Sequence, residues 1–120
     1  MLDLKNLIVS VFMLILCDSF WLFTGGQFSV RMHERIQGSP VVFRYGAAAL
    51  VYTAMAYLLS IAKSAMQAFS IGLSTYAVYD FTNYALLKDY DLRFAIADTI
   101  WGGVLFSAVF LALKGLHIGL

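Results

Sequence analysis

Four apolar stretches, each long enough to cross a bilayer, leave this chain of 120 residues few ways to fold. A helix that crosses hydrocarbon needs about 20 mainly apolar residues. Residues 6–24 meet that need with a run rich in Leu, Ile, Val and Phe, and residues 41–61, 64–87 and 92–113 meet it again. Pro40 opens the second stretch, a favourable residue for a helix start. Only Ala62 and Lys63 separate the second stretch from the third, so these two form a tight hairpin. The predicted fold is all-α: a single integral membrane domain, built as a four-helix bundle whose neighbours run antiparallel through short loops. Charge supports this class. Only 12% of residues are charged and mean hydropathy is +0.82, whereas a soluble domain carries about 25% charged residues.

The same composition excludes several functions. A net charge of +1 gives no basic surface for nucleic acid, and a single cysteine, Cys17, excludes an internal disulfide. The head of the chain is barely basic and no Ala-x-Ala site follows it, so the first stretch is expected to stay as a helix. Leu14-Ile-Leu-Cys17 is a poor lipoprotein box, because Leu16 is too large for its position. Residues 25–39 form the only long connection. Phe28, Met32 and Ile36 fall there at i, i+4 and i+8, with Arg31, Glu34 and Arg35 between them. That pattern suits a short interfacial helix as well as it suits a plain polar loop.

Three aspartates lie inside the apolar stretches. Two share a motif, Asp18-Ser-Phe-Trp21 and Asp98-Thr-Ile-Trp101, which takes in both tryptophans of the chain. The third lies in Tyr79-Asp80-Phe-Thr82-Asn83. Ionisable groups in lipid are costly, face the bundle interior, and mark function or helix pairing. With alternating span direction, Asp18, Asp80 and Asp98 all fall about 10 Å from the same surface, at 1.5 Å per residue. Arg44 begins the second span on that side. Three carboxylates around one cation cannot all stay ionised cheaply in a low dielectric, so a shared proton or a bound cation is expected. Gly72, Thr75, Tyr76, Tyr79, Asp80 and Asn83 follow helical spacing and make one polar stripe that lipid would not tolerate.

On the first and fourth stretches each aspartate shares a face with its tryptophan, which either shields it, donates its indole N–H to a neighbour, or anchors the helix at the interface. The two copies are inverted across the membrane, as in small transporter repeats. Gly102, Gly103, Ala108 and Ala112 give the fourth stretch a small-residue face for close packing. His33 and His117 lie outside the stretches and are expected to be solvated. No metal-ligand spacing, phosphate loop, hydrolase elbow or cofactor motif is present. Arg31, Arg35, Arg44, Lys88 and Arg93 flank one side, and Lys5, Lys63 and Lys114 the other, which favours residues 25–40 and 88–91 in the cytoplasm.

The residues Asp18-x-x-Trp21-Leu22, Tyr76-Ala-x-Tyr79-Asp80-Phe-Thr82-Asn83 and Asp98-x-x-Trp101-Gly102 resemble the DUF2177 family of small predicted membrane proteins. Val78 and Phe81 depart from the family pattern inside the third-span motif. The resemblance covers nearly the whole chain and implies four spans, but brings no established activity.

The leading expectation is a small proton- or cation-linked transporter or channel, embedded in lipid and built as a homo-oligomer. Asp18, Asp80 and Asp98 would hold the ion or proton, with Asn83 and Tyr79 as neutral ligands. Trp21, Trp101, Arg44, Tyr76 and Thr82 support them. A second expectation is a lipid-modifying enzyme or accessory factor, with one aspartate as acid or base and Arg44 holding a phosphate. A third is a structural protein whose acids only lock helix packing.

Overall fold

The computed structural model describes residues 3–116, and His117 lies outside them. Four helices follow in order: α1 (Leu4–Gln37), α2 (Tyr45–Ile61), α3 (Ala65–Leu86) and α4 (Leu92–Gly115). Each start has a local cause. Asp3 caps α1 by accepting from the Asn6 amide at 2.8 Å, and Asp91 caps α4 by accepting from the Phe94 amide at 2.9 Å. Ser64 caps α3 through the Gln67 amide, while the Gln67 side chain reaches back to the Lys63 amide. That exchange is close to a capping box and fixes the short turn between α2 and α3.

The first connection is where sequence and structure part. Residues 25–37 are neither a loop nor a separate interfacial helix; they continue α1 without a break. The helix stops only at Gly38, whose φ of 73° is left-handed and whose amide bonds to the Glu34 carbonyl at 2.9 Å. A glycine adopts this geometry without a Cβ penalty. Pro40 therefore sits in the extended link after α1, and α2 begins at Tyr45 with Arg44 as its N-cap residue.

The α1 extension has a purpose in the fold. Met32 is fully buried with Tyr90, Phe94 and Ala95, and its Sδ accepts from the Asp91 amide at 3.2 Å. Phe28 stacks on Phe94 with ring centroids 5.8 Å apart. The face anticipated from Phe28, Met32 and Ile36 thus covers the turn between α3 and α4.

Packing among the helices is uneven. The α3–α4 pair is the tightest, α1 packs on both α2 and α4, and α2 barely touches α3. Gly72 and Gly102 let the α3 and α4 backbones meet. A Cβ on Gly102 would lie 2.6 Å from the Gly72 carbonyl oxygen and against the Tyr76 ring. The small-residue face expected on α4 is real at Gly102 and Gly103, which are buried, but not at Ala108, which is exposed. One apolar cluster, including Leu14, Leu59, Phe106 and Leu113, fills the end of the bundle near the α2–α3 turn.

Much apolar surface faces outward. Phe12, Leu16, Phe20 and Phe23 of α1 are all exposed, Phe23 at 89%. Only 17% of the apolar window of α1 is buried, where the core helix of a water-soluble protein would be mostly covered. Such continuous exposed apolar surface calls for a partner or a lipid environment. α1 and α4 are long and apolar enough to cross a membrane, and α2 is apolar but only 17 residues long.

Candidate functional site: a carboxylate layer between two tryptophans

The three aspartates are buried between the two apolar clusters. Asp80 has no exposed surface, and Asp18 and Asp98 have 6% each. Burial of this kind demands partners for every oxygen.

The repeated Asp-x-x-Trp motif is explained by reciprocal exchange between antiparallel helices. Trp101 of α4 donates its indole N–H to Asp18 Oδ1 of α1 at 2.8 Å. Trp21 of α1 donates to Asp98 Oδ1 of α4, also at 2.8 Å. Each tryptophan therefore serves the acid of the other copy. The i, i+3 spacing puts acid and indole one turn apart on each helix, so a local two-fold relation satisfies both. The two indoles stack at 5.8 Å with only 14° between their planes. Trp21 continues the stack to Phe94, and Trp101 to Phe20.

Asp18 is completed by a residue the sequence did not single out. Tyr52 of α2 donates to its Oδ2 at 2.5 Å. Both carboxylate oxygens of Asp18 are thereby bonded, and three helices meet at one side chain. Interhelical polar bonds of this kind contribute about 1 kcal/mol each in a membrane.

Asp80 and Asp98 form a different unit. They are buried in the packed α3–α4 pair and influence each other's charge. Asp80 accepts from the Tyr90 hydroxyl at 2.8 Å, and Thr99 Oγ1 lies 3.5 Å from its second oxygen. Tyr90 sits in the turn between α3 and α4, where burial, and then the bond to Asp80, pushes its phenol well above the usual range. It stays protonated and acts as a donor.

A line of hydrogen-bonding groups leads away from this pair. Tyr90 bonds Asp80, and Tyr79 and Asn83 lie in the same neighbourhood. Tyr79 reaches His33 Nε2 at 3.2 Å. His33 Nδ1 is 2.8 Å from the Ser29 carbonyl oxygen, an acceptor only. Nδ1 therefore donates to that oxygen, leaving Nε2 for the Tyr79 hydroxyl. His33 also meets the Tyr90 ring edge-on at 5.9 Å.

The expected site residues are sorted by this geometry. Asp18, Asp80, Asp98, Trp21, Trp101, Tyr79 and Asn83 come together, and half-buried Tyr76 lies close to all three acids. Arg44 does not join them. It is exposed at the start of α2, because α2 begins later than Pro40 suggests, and hydroxyls and indoles take the place expected for its guanidinium. Thr82 faces away, beside Val78, Phe81 and Leu86 on the outer side of α3. His33 is half-buried rather than solvated, because the helical extension of α1 carries it back over the layer. Tyr52, Tyr90 and Thr99 were missed. Tyr52 and Thr99 lie mid-stretch, where either reads as ordinary membrane-helix composition. Among the described residues no group of His, Cys, Asp and Glu is arranged to hold a metal ion.

Comparison with known proteins gives one match. Residues 4–114 fit the DUF2177 family, described as a predicted membrane protein. No curated protein and no solved structure matches the chain.

Proposed function

We propose that this chain, which belongs to the DUF2177 family of predicted membrane proteins, is a small multi-pass membrane protein that moves protons or a proton-linked cation. The observation that carries the reading is the burial of Asp80 and Asp98 together in the tightly packed α3–α4 pair, with 0% and 6% of their surfaces exposed. Residues 45–61, 65–86 and 94–113 contain no Lys or Arg to neutralise them. Two carboxylates buried together cannot both hold a full charge in a low dielectric, so the pair shares a proton or takes up a cation. Tyr90, Tyr79, Asn83 and His33 give that proton a route to the end of the bundle that holds the α3–α4 turn. On the balance of basic residues this end faces the cytoplasm.

In this reading α1 and α4 cross the bilayer by their own hydropathy. α2 and the more polar α3 cross with them, α3 by its close packing on α4. Four helices enclose little volume, so the working unit is a homo-oligomer. Asp18, with both oxygens bonded across three helices, holds the assembly in register.

The enzyme reading has less support, since it needed Arg44 near the acids to hold a phosphate, and Arg44 is exposed at the α2 start. The test is proton flux in proteoliposomes under an imposed pH gradient. The wild-type chain should acidify the lumen faster than empty vesicles, and Asp80→Asn should slow this at least tenfold. Wild-type flux equal to that of empty vesicles at every gradient would overturn the proposal.

A further inference from the structure

Among the described residues α2 and α3 pack loosely, and a cavity of about 400 Å³ lies in the seam between them. That volume falls in the range of small-molecule sites, roughly 300–1,000 Å³. One wall is apolar: Val51, Ala54, Met55 and Leu58 of α2. These four follow helical spacing, so the wall is a continuous stripe. Val51 and Ala54 are exposed, which leaves the slot open sideways toward lipid.

The other wall changes character along its length. At the layer end it presents Tyr76, Tyr79 and Asp98. Away from the layer, Leu58 and Thr75 also border a second groove along α3, so an extended chain has room to continue. The slot is therefore amphipathic along its axis, with a carboxyl at one end and apolar surface at the other.

From this geometry we infer that the α2–α3 slot binds a primary alkylamine taken from the bilayer, with its ammonium on Asp98 and its chain along α2. Charge decides the head group. The polar end offers a carboxyl and two phenols, and no basic residue lies on 45–61 or 65–86. An anionic head would face carboxylates without a counter-charge, and a neutral one would gain no ion pairing. An ammonium has three donors for the carboxyl and the tyrosine hydroxyls.

Binding takes the place of the proton shared by Asp80 and Asp98. One ammonium enters, one proton leaves toward Tyr90, Tyr79 and His33, and the net charge of the layer is unchanged. This exchange rests on the proposed function above; the slot itself does not. Asp98 is faced by Asp18 and His33 of α1 and by Asp80 and Tyr76 of α3. From α2 the nearest such group is Tyr52, held on Asp18, and Tyr90 of the α3–α4 turn bonds Asp80.

The test uses the full chain in lipid nanodiscs, titrated with dodecylamine and with dodecanol, in two buffers of different ionisation enthalpy. Dodecylamine should bind saturably, one per chain, at least tenfold more tightly than dodecanol, with release of about one proton. Ala54→Phe fills the slot from an exposed position that the fold does not need, and should weaken amine binding at least tenfold. Asp98→Asn should do the same while leaving dodecanol unaffected. Unchanged amine affinity in Ala54→Phe, or equal affinity for amine and alcohol, overturns the slot assignment. Saturable amine binding without proton release overturns the exchange while the slot stands, and the flux measurement above decides the proton-linked function separately.

Discussion

Trp21 and Trp101 each complete the aspartate of the opposite helix, which makes the motif a pair of half-sites and not two independent anchors. The two bonds differ in redundancy. Asp18 keeps Tyr52 when Trp101 is lost, whereas Asp98 has Trp21 on one oxygen and Asp80 nearby on the other side. Trp21→Phe should therefore destabilise the fold more than Trp101→Phe. A double-mutant cycle between Trp21→Phe and Asp98→Asn should return a coupling of about 1 kcal/mol, as interhelical polar bonds in membranes do. Unfolding in mixed micelles measures it, and a coupling of zero would mean that the indole only fills space. At this scale the sequence was informative about cost but not about pairing. Acids in lipid announce themselves because they are expensive. Their donors do not, because Tyr52 and Thr99 are common residues in apolar helices, and His33 and Tyr90 appeared to lie in loops.

At the scale of elements, the backbone contact between Gly72 of α3 and Gly102 of α4 sets how near Asp80 and Asp98 come. A methyl at Gly102 meets the Tyr76 ring and the Gly72 carbonyl oxygen, and the carbonyl gives way only if the α3 backbone moves. Overpacking at a close contact costs about 1–3 kcal/mol, so Gly102→Ala should lower stability by roughly that amount. It should also spread α3 from α4 and reduce proton flux, while Gly115→Ala, which meets nothing within 4 Å, should change neither. Thermal unfolding and flux on the two variants check this. α3 and α4 were legible from hydropathy to within two residues, as was the turn between α2 and α3; of the expected polar stripe only Gly72 and Asp80 are buried, and Tyr79 is exposed. The end of α1 was not. Gln27, Ser29, Arg31, His33, Glu34 and Arg35 give residues 25–37 the composition of a solvated loop. The i, i+4, i+8 spacing of Phe28, Met32 and Ile36 offered a short helix as an equal alternative, but its continuity with α1 comes from burial of Met32 on the α3–α4 turn, a tertiary contact that local composition does not contain.

For the molecule as a whole, burial and charge divide the bundle into three zones. The apolar cluster near the α2–α3 turn contributes packing, the extension of α1 closes the opposite end, and the acid layer lies between. Within that layer both oxygens of Asp18 are bonded, while Asp80 is held by Tyr90 and Asp98 by Trp21. The proposed function turns on a proton held between Asp80 and Asp98. Infrared difference spectroscopy of the membrane-embedded chain, taken across a pH titration, reads the carbonyl stretch of a protonated carboxyl directly. A titrating protonated-carboxyl band that disappears in both Asp80→Asn and Asp98→Asn, and persists in Asp18→Asn, is the predicted result. A spectrum without such a band, or one in which only Asp18→Asn removes it, would contradict the account.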